Sequence, residues 1–294
     1  MNGEPVTTRF APSPSGLLHV GHVWSALQGY RAAHAEPGGR FLLRIEDIDT
    51  DRCRPEFETA ILEDMTWLGL AWDGEVRRQA EHLGDYRAAL KELEALDLIY
   101  PCFCTRQEIR EEIQASASAP HGPLGLIYPG TCRQITATVR RERLESEMPY
   151  ALRLDMRKAI ARVSPLSWHE VGHGRVYVDI SLIGDVVVAR KDAAVSYHLA
   201  VAVDDHLQGV TLVTRGRDLY PATHVHRMLQ ALLGYEAPEY LHHALLLDNE
   251  GKRFAKRDHA VTVQALREAG HSPEEVIAMA EEMARAGQAR AQAS

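Results

Sequence analysis

His19 and His22, with Gly21 between them, close the run RFAPSPSGLLHVGH that begins at Arg9. Imidazoles at the start of a helix can donate hydrogen bonds to phosphate oxygens. The free N–H groups and positive dipole end of that helix favour the same anion. Gly21 lacks the side chain that would hold a nucleotide off the backbone. A second group, Glu46, Asp47 and Asp49, ends the stretch FLLRIEDID and offers carboxylates that can hold an amino group. A third consists of Cys102, Cys104 and Cys132. Cys-x-Cys is a poor disulfide pair because successive strand side chains point apart. Three thiolates with one further oxygen or nitrogen can close a tetrahedral zinc site. Tyr128 and His121 are both candidates for the fourth position, and donor chemistry alone favours the imidazole.

The elements that must position these groups follow from pattern. Thr8 to Phe10 predicts a short strand, and Val20, Val23, Trp24, Leu27 and Tyr30 recur at helical spacing after the turn. The apolar start of FLLRIEDID predicts a buried strand whose end carries the acids. Pro55 opens a helix through Phe57, Ile61, Met65 and Leu68, and Tyr86, Leu90, Leu93 and Leu96 mark another. From Val176 the apolar runs Val176 to Ile180, Val186 to Arg190, Tyr197 to Val203 and Val210 to Thr214 predict strands. Ala222 to Leu233 predicts a helix stopped by Gly234, and Ser272, Pro273 and Glu275 cap a last one.

Strand and helix alternating in this way predict an α/β doubly wound parallel sheet. The first half of a nucleotide-binding catalytic domain is expected over residues 1–100 and a cysteine-bearing insertion over 101–175. The second half is expected over 176–235, followed by a basic loop and a helical region over 236–294. The chain has 294 residues, 45% apolar and 25% charged, enough for one large or two modest domains. A net charge of -8 argues against non-specific coating of nucleic acid, so such a partner must meet local basic surface. Arg140, Arg141 and Arg143 are one such run. With neither a leader-like N-terminus nor a run of about 20 apolar residues, a cytoplasmic protein without membrane contact is expected, as a monomer.

The fourteen residues from Arg9 to His22 resemble the HIGH signature of class I aminoacyl-tRNA synthetases, in the form carried by their glutamyl branch. RIEDID and the stretch SYHLAVAVDDHLQGVTLVTRGRDL resemble the same branch, and RFAKR, from Arg253 to Arg257, resembles its KMSKS loop. In that loop Lys256 is kept, while Arg253 replaces the first lysine and Ala255 the usual serine. The resemblance covers Thr8 to about Gly270. It implies a Rossmann-type class I catalytic fold with a zinc-bearing insertion and a C-terminal helical region. It also implies glutamate contacts from Arg9, Ala11, Ser13, Glu46, Tyr197 and Arg215, and ATP contacts from His19, Gly21, His22 and Lys256. Arg9 and Arg215 would supply two guanidiniums to a dicarboxylate.

The Cys-x-Cys and Tyr-x-x-x-Cys pattern is similar to the zinc site of the glutamyl-Q tRNA(Asp) synthetases. That similarity implies one structural Zn2+ on Cys102, Cys104, Tyr128 and Cys132, and leaves Cys53 as an ordinary thiol. Glutamyl-tRNA synthetases continue into a helical anticodon-binding domain, which this sequence lacks, so the glutamyl-Q group is the expectation. Its members activate L-glutamate with ATP and Mg2+ as glutamyl-adenylate, then transfer it to the queuosine base at the wobble position of tRNA(Asp). The alternatives are a minimal glutamyl-tRNA synthetase charging a tRNA 3' end, a non-catalytic tRNA-binding module, and another HxGH adenylyltransferase. The last has no place for the paired arginines or RIED.

Overall fold

The chain begins with β1 (Thr7–Phe10), α1 (Val20–Ala33) and β2 (Arg40–Ile45), in which the two strands pair parallel from Thr7 against Arg40 to Phe10 against Leu43. The computed structural model describes residues 5–115, 121–122, 125–181, 183–190, 195–246 and 261–293. Lys256, Arg253 and Ala255 lie outside the described residues. After α2 (Pro55–Trp67), with Pro55 in its first turn, β3 (Arg77–Arg78) adds parallel to β2. In β2, Phe41, Leu43, Arg44 and Ile45 have no exposed surface. A strand apolar on both faces belongs in the middle of a parallel sheet covered on both sides. The charge on Arg44 therefore needs partners from elsewhere in the chain.

Next come α3 (Leu83–Ala95), β4 (Ile99–Cys102), α4 (Arg106–Ala115), the two-residue strands β5 (His121–Gly122) and β6 (Gly125–Leu126), α5 (Ala137–Glu145), β7 (Ala151–Leu154) and α6 (Met156–Val163). A hairpin of β8 (Ser167–Glu170) and β9 (Gly174–Tyr177) straddles the expected boundary at residues 175 and 176. β10 (Val187–Ala189) and β4 both pair antiparallel with β7, which ties the cysteine-bearing region to the strand that precedes α7.

The second half contains α7 (Tyr197–Leu207), β11 (Leu212–Gly216), α8 (Tyr220–Leu232) and β12 (Glu239–His243). β11 pairs parallel with β12, and β12 with β8. β1 lies beside β11, tied by Thr211 N–H to Thr7 O at 2.9 Å and Thr7 N–H to Thr211 Oγ1 at 2.9 Å. The strands thus run β3, β2, β1, β11, β12, β8, and the order reverses between β1 and β11. Open α/β sheets bind ligands in the crevice at the carboxyl ends of strands at such a switch point. The run from Arg9 to His22 leaves the end of β1, and Arg215 lies at the end of β11.

Two expected strands differ. Tyr197 to Val203 is helical: the Ser196 hydroxyl caps α7 by accepting the Leu199 N–H at 3.4 Å, and Leu199 to Asp205 are all buried. A helix buried on every side shows no polar stripe, so its period is hidden. The strand expected through Ile180 ends at Tyr177. The chain closes with α9 (Val263–Glu268) and α10 (Pro273–Ala293). α10 has the expected capping box: Ser272 N–H donates to Glu275 Oε2 at 2.9 Å, and Glu275 N–H to Ser272 Oγ at 3.3 Å. Val276, Ala280 and Ala284 of α10 pack with Val20, Val23 and Leu27 of α1. Among the described residues no helix is long and apolar enough to cross a membrane.

Candidate functional site

His19 is the N-cap of α1. Its Nδ1 accepts the Gly21 N–H at 3.1 Å, and the His22 Nδ1 accepts the His19 N–H at 3.1 Å, a reciprocal capping box built from two imidazoles. Because each Nδ1 is an acceptor, the proton of each neutral ring lies on Nε2. The rings are 3.8 Å apart between centroids. Gly21 makes room for this arrangement: a Cβ there would stand 2.9 Å from His19 Cε1 and 3.0 Å from its Nδ1. The Gly21 N–H is taken by His19, and the space left by the absent side chain is used by that ring. His19 also forms an antiparallel bridge with Thr262, and Val263 N–H donates to Leu18 O at 2.9 Å. Thr262 and Val263 are therefore fixed beside the paired histidines.

The second group gathers around Tyr197. Its phenol is pushed up to about 12 by burial and the Glu46 charge, against the fields of Arg215 and Arg9. Those four expected residues thus share one neighbourhood. Arg9 is buried, with Nε 2.9 Å and Nη2 3.3 Å from the two oxygens of Asp205, and Nη1 3.3 Å from Thr214 O. One N–H on each terminal nitrogen is left by these contacts. Asp205 also accepts from Arg44 at 2.8 Å, and Arg44 reaches Glu46 at 3.3 Å and Gln208 at 2.9 Å. Burial would raise the Asp205 carboxyl, but Arg9 and Arg44 reverse this and hold it at about 2. Burial raises the Glu46 carboxyl, opposed by Arg44 and Arg9. Glu46 N–H donates to Pro12 O at 3.0 Å, which holds the acidic turn against the loop carrying Ala11 and Ser13. Ser13 is exposed, 3.7 Å from the Cys53 sulfur.

Arg215 is buried and contacts neutral groups. It lies 3.0 Å from His226 Nδ1, donates to His242 Nε2 at 3.1 Å and to Thr223 Oγ1 at 2.6 Å. Asp205, Arg44, Thr223, His226 and His242 were absent from the sequence expectations. Asp205 is a buried residue of α7. The signals that pointed to it were the acidic pair Asp204-Asp205 inside an apolar run and an arginine within a buried strand.

The cysteine group forms a separate cluster. The sulfurs of Cys102, Cys104 and Cys132 all lie within 4.8 Å of one another. The Tyr128 hydroxyl is 3.3 Å from the Cys102 sulfur and 3.6 Å from that of Cys104, and it accepts the Cys132 N–H at 2.8 Å. Phe103 N–H donates to the Cys132 sulfur at 3.3 Å. Hydrogen bonding from Cys102 brings Cys132 down to about 6, while Cys102 is pushed up to about 12. One thiol is thus readily ionised. Three sulfurs and one oxygen converging at these separations suit a tetrahedral ion with Zn–S bonds of about 2.3 Å. Arg133, next to Cys132, reaches Asp185 at 2.6 Å, and the Tyr100 hydroxyl donates to the same carboxylate at 2.5 Å. These contacts tie the cluster to the catalytic body. The α5 run of Arg140, Arg141 and Arg143 has Arg143 over the Phe103 ring at 5.5 Å.

A family model described as tRNA synthetases class I (E and Q), catalytic domain, matches residues 5–292. The chain is 45% identical over 275 residues to a glutamyl-Q tRNA(Asp) synthetase of Rhodobacter capsulatus, covering 92% of this chain and 97% of that one. It is 44% identical to the glutamyl-Q tRNA(Asp) synthetase of Nocardia farcinica, covering 92% and 82%. Among solved structures it is similar to a glutamate tRNA ligase of Elizabethkingia meningosepticum in complex with its amino acid. The TM-score is 0.77 at 30% identity, over 94% of this chain and 60% of that one. The chain therefore spans about three fifths of that ligase. The chain belongs to the class I tRNA synthetases of the glutamyl and glutaminyl type, ligases among which it falls in the glutamyl-Q tRNA(Asp) synthetase family.

Proposed function

We propose that the chain activates L-glutamate with ATP and transfers it to the queuosine base at the wobble position of tRNA(Asp). The observation that carries the reading is the crevice at the β1/β11 switch point. There Arg9 and Arg215 offer guanidinium N–H groups suited to two carboxylates, and Glu46 offers a carboxylate suited to an ammonium. The glutamyl-Q relatives, one of them matched over 97% of its length, supply the acceptor in this proposal.

In the first step the α-carboxylate of glutamate attacks the α-phosphorus of ATP, which enters as its magnesium complex. Pyrophosphate leaves and glutamyl-adenylate forms. No protein nucleophile is needed, so the work is alignment and neutralisation of phosphate charge. His19 and His22 carry their protons on Nε2 and can donate these to phosphate oxygens. Lys256 joins them in this proposal: it precedes the bridge from Thr262 to His19 by few enough residues that the chain can span about 20 Å to the site. Tyr197, Ala11 and Ser13 complete the glutamate contacts. In the second step a hydroxyl of the queuosine base attacks the acyl carbon and AMP departs. Cys102, Cys104, Tyr128 and Cys132 would hold a zinc ion whose contribution is structural, since four protein ligands leave no position for substrate.

Pyrophosphate exchange with glutamate, with and without tRNA, followed by transfer of labelled glutamate to queuosine-containing and queuosine-free tRNA(Asp), tests the proposal. Label confined to the queuosine-containing species and surviving periodate oxidation of the 3' end is the expected result. Label on tRNA(Glu) that periodate abolishes would identify a minimal glutamyl-tRNA synthetase instead. Exchange in neither condition would leave a binding module.

A further inference from the structure

Arg215 differs from the two other buried arginines in its surroundings. Arg9 and Arg44 share Asp205. Among the described residues Arg215 has no carboxylate at ion-pair distance. Its partners are two imidazoles and a hydroxyl, with the Tyr240 ring 5.3 Å from the guanidinium carbon. Each imidazole is oriented by a further residue. His242 Nδ1 lies 2.9 and 3.0 Å from the oxygens of Glu170, so its proton is on Nδ1 and its Nε2 is the acceptor for Arg215. His226 accepts from Arg215 at Nδ1, so its Nε2 donates to His198 Nδ1 at 3.2 Å. Burial and the Arg215 charge hold both His226 and His198 neutral, the latter at about 4.

A buried cation is tolerated when its N–H groups are satisfied and a counter-charge is at hand. Here the hydrogen bonds are made by neutral groups, and Glu170 connects to the guanidinium only through the His242 imidazole. We propose that His226 and His242, oriented by His198 and Glu170, are positioning residues that fix Arg215 through neutral contacts and so reserve its charge for the carboxylate of the substrate. The inference rests on Arg215 being a glutamate ligand. An acidic residue in place of either histidine would hold the guanidinium equally well while competing with the substrate for its charge.

The test compares His226→Asn with His226→Asp, which have the same size and both present an oxygen near the position of Nδ1, so that they differ in charge. Pyrophosphate exchange is measured with glutamate varied and tRNA present, and folding is checked by thermal melting. The expected result is a rise in KM for glutamate of about threefold in the Asn variant and roughly thirtyfold or more in the Asp variant, with kcat changing less than KM in both. Equal KM values in the two variants would overturn the inference and reduce His226 to a packing residue. Arg215→Gln is the companion measurement: an unchanged KM there would overturn the assignment of Arg215 as a glutamate ligand, and this inference with it. A large rise in Arg215→Gln beside equal values at position 226 would overturn the inference alone. If the Asp variant unfolds, His242→Gln against His242→Glu makes the same comparison from the other side of the guanidinium.

Discussion

Asp205 of α7 grips Arg9 at the end of β1, Nε to Oδ1 at 2.9 Å, with both side chains buried. The same oxygen accepts from Arg44 at 2.8 Å. One carboxylate thus orients the arginine proposed to meet the substrate and neutralises a second that lies wholly inside the sheet.

Asp205→Asn would strand two buried guanidiniums, and removing one partner of such a group costs about 3 to 5 kcal/mol. The pH dependence has a definite sign. The folded carboxyl is held at about 2, below the ordinary carboxylate value, so its contribution is present above the unfolded value of about 3.9 and is lost as pH falls toward 2. By linkage that contribution is about 2 to 3 kcal/mol. Denaturant titrations of wild type at descending pH are expected to show this loss, and Asp205→Asn to lack it. A variant as stable as wild type at pH 7 would contradict the assignment.

Gly21 separates stability from activity. Its φ is that of an ordinary helix, so alanine is accepted by the backbone and favours the helix by up to about 1 kcal/mol. The added Cβ meets the His19 ring at 2.9 Å and must displace it. Gly21→Ala is therefore expected to melt close to wild type, the helical gain being offset by loss of the His19 cap, while kcat for pyrophosphate exchange falls roughly tenfold to a hundredfold, the usual scale for a misplaced catalytic group. Full activity in this variant would show that the ring has no fixed position in catalysis.

The sequence exposed those parts of the site whose residues are neighbours in the chain. His19, Gly21 and His22 form one turn, and Glu46 ends one strand, so their grouping survives without knowledge of the fold. Arg9 and Asp205 are separated by almost two hundred positions, and only the adjacency of β1 and β11 brings their elements together. The acidic pair inside an apolar run and the arginine in a buried strand hint at an interior acid, but only the fold shows that Asp205 meets Arg9 and Arg44. The error at α7 has the same origin. Ala, Val and Leu on every face erase the helical period, and the Ser196 cap alone marked the true element. Cys-x-Cys could be read because adjacent thiols are scarce, whereas the fourth donor required the fold to bring Tyr128 over Cys102 and Cys104.

The cysteine cluster predicts a measurable metal content. Purified protein is expected to carry about one zinc per chain by elemental analysis, and Cys102→Ser or Cys132→Ser to carry little. Tyr128→Phe should weaken retention against a chelator and, by leaving the Cys132 N–H without its oxygen acceptor, also lower the melting temperature. Because Arg133 and Tyr100 anchor this region through Asp185, chelation is expected to lower the melting temperature while leaving glutamate activation less affected than tRNA transfer. Zinc retained undiminished in Cys132→Ser would place the ion elsewhere.

Glu46 should set the acid limb of glutamate use. Burial raises its carboxyl above the ordinary 4.5, and an arriving ammonium favours the ionised form. In the free enzyme kcat/KM for glutamate is therefore expected to fall as pH drops through that raised value. In the complex, where the ammonium pulls the carboxyl down, kcat should hold to lower pH. The side-chain carboxyl of the substrate, near 4.3 when free, adds a limb of its own. Glu46→Gln separates the two: it should lower kcat/KM by roughly tenfold to a hundredfold at neutral pH, the cost of a lost charged hydrogen bond, and leave only the substrate's limb. An acid limb unchanged in shape and position in Glu46→Gln would remove Glu46 from ammonium binding.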